Sequence, residues 1–136
     1  MADSIIINKA GSIERCLKRI REDYIGFESD FEANYMRQDA VLLNLQRACE
    51  QSIDLANHLV KILKIGVPQS SKSSFEILVE NKIIDADLGQ KLMRMVGFRN
   101  IAIHQYSDLD LKVVKSIIEK HLPDFQAFVG IALKFV

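Results

Sequence analysis

Residues 41–63 read VLLNLQRACEQSIDLANHLVKIL, and this stretch decides the fold. Its apolar residues recur every three or four positions, which is the period of an α-helix rather than of a strand. They form two adjacent stripes, Val41, Leu45, Ala48, Ser52, Leu55, Leu59 and Ile62 in one and Leu42, Cys49, Ile53, Ala56, Val60 and Leu63 in the other. A face this wide predicts a long helix, from about Tyr35 to Ile65, that is central to a bundle or also contacts a second copy of the chain.

An amphipathic helix precedes this stretch. Asp3 or Ser4 can cap its N-terminus, and helical spacing of apolar residues continues to about Tyr24. The apolar positions are Ile6, Ala10, Ile13, Leu17 and Ile20. Charged residues occupy the opposite side, so we expect this helix to pack on the bundle by one face.

Two helices are predicted after the long one. Residues 66–74 are rich in Gly, Pro and Ser, so they form a loop that leads into a short helix over about residues 74–81. The following helix can be capped by Asp85 or Asp87, and apolar residues at helical spacing give it a core face. A polar motif, RNIAIHQY at residues 99–106, lies at the C-terminal end of this helix.

The last helix is predicted over about residues 111–133. Pro123 lies inside it and should bend or interrupt it, because proline cannot donate a backbone hydrogen bond. No segment alternates with the period of a strand. The predicted fold is therefore all-α: a single domain, residues 1–136, built as an antiparallel bundle of four long helices and one short helix.

Composition limits the possible functions. Eighteen basic residues balance eighteen acidic ones, so the formal net charge is zero and any contact with nucleic acid must be local. Cys16 and Cys49 both lie on apolar stripes, which suggests buried thiols in a reducing compartment rather than a disulfide or zinc site. No segment is apolar enough to cross a membrane. We expect a cytoplasmic protein.

Four polar residues near the end of the fourth helix could carry chemistry: Arg99, Asn100, His104 and Tyr106. An imidazole exchanges protons near neutral pH, and a guanidinium can hold a phosphate with paired donors. RNA supplies its own nucleophile, the 2′-hydroxyl. Such a set is therefore suited to cleaving RNA without a metal ion or another cofactor.

Helical geometry restricts how these side chains can act together. At about 100° per residue, Asn100 and His104 share one face of a helix, whereas Arg99 and Tyr106 share another. Four such side chains on one straight helix cannot converge on one phosphate. Either the helix unwinds near Ser107, or the site combines residues of two symmetry-related copies.

Three stretches resemble the HepT toxins of the HEPN superfamily. They are RNIAIHQY at residues 99–106, QDAVLLNLQRACE at residues 38–50 and GVPQSS at residues 66–71. The first contains the pattern of that family, Arg, four to six residues, His, one residue, Tyr. The resemblance implies a homodimer and a metal-independent endoribonuclease with its cleft at the dimer interface. It also implies a minimal nucleotidyltransferase as antitoxin, which transfers AMP from ATP to the tyrosine of the motif.

Carried over to this sequence, the resemblance gives each residue a role. Arg99 would bind the scissile phosphate, His104 would be the general acid or base, and Tyr106 would accept AMP. Asn100 adds a polar group beside the arginine. Asp39 and Asn44, on the preceding long helix, could support the site, although no spacing argument places them there.

Other interpretations remain open at this stage. The chain could be a helical adaptor that regulates a nucleotidyltransferase without cleaving RNA, or a module that binds substrate for such an enzyme. Taken singly, Arg99, His104 and Tyr106 could also be ordinary residues of a helix end. His58 has no cysteine or second histidine at metal-binding spacing, so a surface position is expected for it.

Overall fold

Six α-helices form the part of the chain that the computed structural model describes, which is residues 2–104 and 109–136. They are α1 (Ser4–Tyr24), α2 (Tyr35–Leu63), α3 (Ser73–Glu80), α4 (Ala86–His104), α5 (Leu111–Lys120) and α6 (Leu122–Ala132). Short 3₁₀ turns occur at Phe31–Ala33 and Leu133–Phe135. No strand is present in these two ranges, so the all-α prediction is confirmed.

Helix α2 is the centre of the bundle, as its two apolar stripes predict. It packs against α1, α3, α4 and α6. Nearly all residues of both stripes are buried, whereas Ile62 and Leu63, at the last turn, are partly exposed. The helix ends where Lys64 adopts the left-handed conformation, with φ of 55°, a common way to end a helix.

Helices α1 and α2 lie antiparallel. The carboxylate of Asp3 caps α1 by accepting hydrogen bonds from the backbone N–H groups of Ile5 and Ile6. Its other oxygen lies 2.7 Å from Nε2 of His58 on α2, and this hydrogen bond lowers the pKa of Asp3. The expectation of a surface position for His58 is therefore wrong, since its side chain is 14% exposed and paired with α1.

The predicted last helix is two helices, so the expected count of five becomes six. Helix α5 ends at Lys120, and Pro123 lies in the first turn of α6. Proline is tolerated there because the first N–H groups of a helix have no partner within it. His121 joins the two helices, and its Nδ1 lies 2.9 Å from Oδ2 of Asp124.

The loop of residues 64–72 connects α2 to α3, and α3 packs against both α2 and α4. Ser74 donates a hydrogen bond to Asn57 of α2. On the other side, Gly89 of α4 comes so close to the side chain of Val79 that a Cβ atom at this position would clash with it. The tight approach of α3 to α4 thus depends on glycine at position 89.

None of the helices within the described ranges has an apolar stretch long enough to cross a membrane.

The contact at Gly89 yields a test of this packing. Gly89→Ala should lower the free energy of unfolding, because overpacking costs about 1–3 kcal/mol and Val79 is β-branched and stiff. Gly130→Ala, on α6, has open space around the new methyl group. It should raise the free energy of unfolding by about 0.5–1 kcal/mol. Urea unfolding followed by circular dichroism measures both.

Replacing Val79 tests whether its side chain causes the expected loss of stability. If the clash is the cause, Gly89→Ala should cost less in a Val79→Ala background than in the native one. Equal costs in the two backgrounds would contradict the assigned contact.

Candidate functional site

The polar motif lies on the last turns of α4, which remains helical through His104. Arg99 is partly buried, whereas Asn100 and His104 are exposed. Asn100 and His104 are four residues apart and therefore share one face. Arg99 precedes His104 by five residues, which separates the two side chains by about 140° around the helix. Tyr106 lies outside the described residues.

Arg99 projects towards the loop between α2 and α3. Its Nη2 donates a hydrogen bond to Oγ of Ser71, at 3.3 Å. Its Nε is buried and has no hydrogen-bond partner among the described residues. The loop thus fixes the direction of the guanidinium through one of its N–H donors.

Cys49 of α2 lies beneath this arginine. Its thiol donates to the backbone oxygen of Met95, at 3.6 Å. Burial raises the pKa of Cys49 to about 12, although the positive charge of Arg99 acts in the opposite direction. The thiol is protonated at neutral pH, so it neither neutralises Arg99 nor serves as a nucleophile.

Asn44 lies on the side of α2 that faces α1. It follows Arg37 by seven residues, or about two turns, and Nη1 of Arg37 lies 3.5 Å from Oδ1 of Asp23 on α1. Asn44 is buried, and its Nδ2 donates to the backbone oxygen of Ala40 at 2.9 Å. Within the described residues, the structure does not bring it to the motif.

Asp39 has a different position. It is exposed near the start of α2 and lines a shallow surface depression with Leu42, Leu43 and Gln46. Leu43, four residues later on the same face, is 46% exposed. The N-terminal half of α2 thus presents a mixed polar and apolar surface.

Exposed apolar side chains occur beside the motif on α4 and at the start of α2. Ile101 and Ile103 on α4 are each 42% exposed, beside the exposed Asn100 and His104. On α2, Tyr35 and Met36 are exposed for 76% and 84% of their surface. Exposed apolar side chains that cluster mark surfaces that contact another protein, whereas single ones are ordinary. Ile101 and Ile103 lie two residues apart, beside the motif.

Sequence reasoning missed one member of the site, Ser71. This residue lies 28 positions before Arg99, and its hydroxyl accepts the only hydrogen bond of Arg99 that the described residues show. The periodicity of the chain contains no indication of this pairing. The only sign was that the loop of residues 66–71 stood out as a resembling segment.

A metal centre is not built into the described part of the chain. Among residues 2–104 and 109–136, no three His, Cys, Asp or Glu side chains come together in a way that could hold a metal ion. On the described part of the motif, the imidazole of His104 is suited to proton transfer and the guanidinium of Arg99 to charge stabilisation.

Comparison with known proteins gives consistent matches over almost the whole chain. A family model described as "Ribonuclease HepT-like" matches residues 13–131. An "mRNA nuclease HepT" of Shewanella oneidensis is 46% identical over 129 residues, which cover 95% of this chain and 96% of that protein.

Two solved structures are similar throughout. One is a tri-AMPylated Shewanella oneidensis HEPN toxin in complex with an MNT antitoxin, with a TM-score of 0.91, 45% identity and coverage of 96% of this chain and 97% of that one. The other is a toxin–antitoxin with AMP-PNP, with a TM-score of 0.92, 44% identity and coverage of 96% and 99%.

Proposed function

Because this chain belongs to the HepT-like ribonuclease family, we propose that it is the mRNA-cleaving toxin of a toxin–antitoxin pair whose antitoxin is an MNT nucleotidyltransferase. One observation carries the proposal: 46% identity over 95% of the chain to an mRNA nuclease, with Arg99, His104 and Tyr106 all present. The chain would act in the cytoplasm, where mRNA is translated.

The active form is a homodimer. Arg99 and His104 diverge by about 140° on one helix, so one chain does not direct both at one phosphate. A two-fold axis beside the end of α4 would bring Arg99 of one copy towards His104 of the other. The exposed Ile101, Ile103 and Leu43 support this contact, because a second copy would remove them from water.

The reaction needs a nucleophile, proton transfer and charge stabilisation. His104 takes the proton of the 2′-hydroxyl or delivers one to the leaving group. The 2′-oxygen attacks the adjacent phosphorus, and the bond from phosphorus to the 5′-oxygen breaks. The products are a 2′,3′-cyclic phosphate and a 5′-hydroxyl, which receives a proton.

Arg99 stabilises this step electrostatically. Its charge and free donors face negative charge that develops on the phosphate oxygens. Ser71 fixes the direction of the guanidinium, and the protonated Cys49 does not neutralise its charge. Asn100, on the face of His104, would contact the same RNA, and Asp39 would support the site from the neighbouring helix; both are exposed. These groups perform the reaction without a metal ion.

The antitoxin would silence the enzyme by modifying Tyr106. The phenol oxygen attacks the α-phosphorus of ATP and loses its proton. The bond between the α-phosphorus and the oxygen that bridges to the β-phosphate breaks, and pyrophosphate leaves. AMP on a tyrosine two residues after His104 adds bulk and negative charge beside the RNA. Both would exclude a polyanionic substrate.

The first test is cleavage of purified mRNA in the presence of EDTA. The native chain should cleave it, and His104→Ala and Arg99→Ala should each lower the rate by about 10²–10³-fold, the usual loss for such groups. His58→Ala and Arg15→Ala, which remove the same side-chain types far from the motif, should retain activity.

Intact RNA at every concentration of the native chain would contradict the ribonuclease assignment. That outcome would favour a helical adaptor or a substrate-binding subunit for a nucleotidyltransferase. Equal activity of His104→Ala and the native chain would instead exclude His104 as the proton-transfer group.

A second test concerns the modified residue. After incubation with the antitoxin and ATP, intact-mass spectrometry should show added AMP on the native chain and no addition at this position in Tyr106→Phe. The modified chain should have lost RNA cleavage. Peptide mapping that finds AMP only at Tyr24 or Tyr35 would exclude Tyr106 as the acceptor.

A further inference from the structure

A groove of about 350 Å³ runs between α4 and α5, on a surface that the proposed chemistry does not use. Its floor consists of Met95, Phe98 and Ile117, which are almost fully buried. Val113, on one wall, is 48% exposed. We call this feature the α4–α5 groove.

The groove exists because the two helices pack on different neighbours. Helix α5 packs mainly on α1 and α6, whereas α4 packs on α2, α3 and α6. The helices are consecutive in the chain but pack on different neighbours, so a groove remains between them, with a largely buried apolar floor and an exposed apolar wall at Val113. A groove of this kind is the form in which an amphipathic segment binds between helices.

The rim of the groove is positively charged. Lys91 and His121 already have partners, since Lys91 Nζ lies 3.0 Å from Asp87 and His121 pairs with Asp124. Arg94 and Lys112 are exposed and form no ion pair with the described residues. No acidic side chain lines the groove within the described ranges.

The apolar floor and the positively charged rim together indicate what kind of molecule the α4–α5 groove would bind. The apolar floor and wall favour apolar side chains, and the two cations without an ion pair among the described residues favour carboxylates. A single RNA strand would satisfy the cations, but its bases bind on exposed aromatic faces, and Phe98 is only 7% exposed. An acidic amphipathic protein segment satisfies both parts of the groove.

The position of the groove identifies the partner. Its walls are the helices directly before and after residues 105–108, which include Tyr106. Around α4, Asn100 and His104 project about 160° and 120° away from Phe98. A protein in the groove would therefore contact the two helices that precede and follow the Tyr106 segment in the chain, and would leave the face of His104 uncovered.

We propose that the α4–α5 groove is the docking site for an acidic amphipathic segment of the nucleotidyltransferase antitoxin. The inference rests on the proposed function, which supplies the partner. Docking at the groove holds the antitoxin on the two helices that flank the modified tyrosine in the chain, while the face of His104 stays separate.

The experiment compares two double charge reversals in the otherwise native full-length chain. Arg94→Glu with Lys112→Glu changes the groove, and Arg15→Glu with Lys18→Glu makes the same change in charge on the exposed face of α1. The binding of the purified antitoxin to each variant is measured by isothermal titration calorimetry at one fixed salt concentration. RNA cleavage and circular dichroism are recorded in parallel.

The groove variant should bind the antitoxin at least about tenfold more weakly than the α1 variant, and its modification at limiting antitoxin should slow equally. RNA cleavage should remain within about twofold of the native rate, because neither residue belongs to the catalytic set. Val113→Asp, a single change on an exposed wall, should also weaken antitoxin binding.

Three results would overturn the proposal. The first is native affinity in both the groove variant and Val113→Asp. The second is a loss of RNA cleavage with antitoxin binding intact, which would make the groove an RNA site. The third is a native chain that does not bind the antitoxin at all. A native chain that binds the antitoxin but leaves RNA intact would refute only the ribonuclease function.

Discussion

The continuity of α4 through His104 is the constraint on which the rest of this account depends. A regular helix rotates each residue by about 100°, so Arg99 and His104 leave it in directions about 140° apart. Arg99 turns inward to Ser71, and His104 turns to solvent. For Arg99 and His104 to reach one phosphate, either the backbone of α4 would have to differ, or a second copy of the chain would have to supply one of the two residues.

The packing of the bundle positions Arg99, one of the two main groups of the proposed site. Gly89 lets α3 approach α4 closely, and α3 in turn anchors the loop that includes Ser71. Ser71 then accepts the hydrogen bond of Arg99, over the buried and protonated thiol of Cys49. The direction of the guanidinium is therefore a property of the packed fold, whereas His104 and its neighbours Ile101 and Ile103 face outward.

The sequence pattern predicted those features that depend only on residues close together in the chain. The period of α2, the cap at Asp3 and the opposite directions of Arg99 and His104 follow from residues a few positions apart. The pairing of His58 with Asp3 spans 55 positions, and that of Arg99 with Ser71 spans 28. Such contacts are set by how helices pack, so the sequence pattern of either partner does not reveal them.

The central claim is that Arg99 and His104 of different copies act on one phosphate. Dimers of Arg99→Ala and dimers of His104→Ala, each inactive alone, would be mixed under conditions that let subunits exchange between dimers. The mixture would then be assayed for RNA cleavage. Half of the dimers should be mixed, and each mixed dimer should have one intact site, so about a quarter of native activity should return. If the exchanged mixture stays as inactive as its components, both residues act within one chain, and the composite site is wrong.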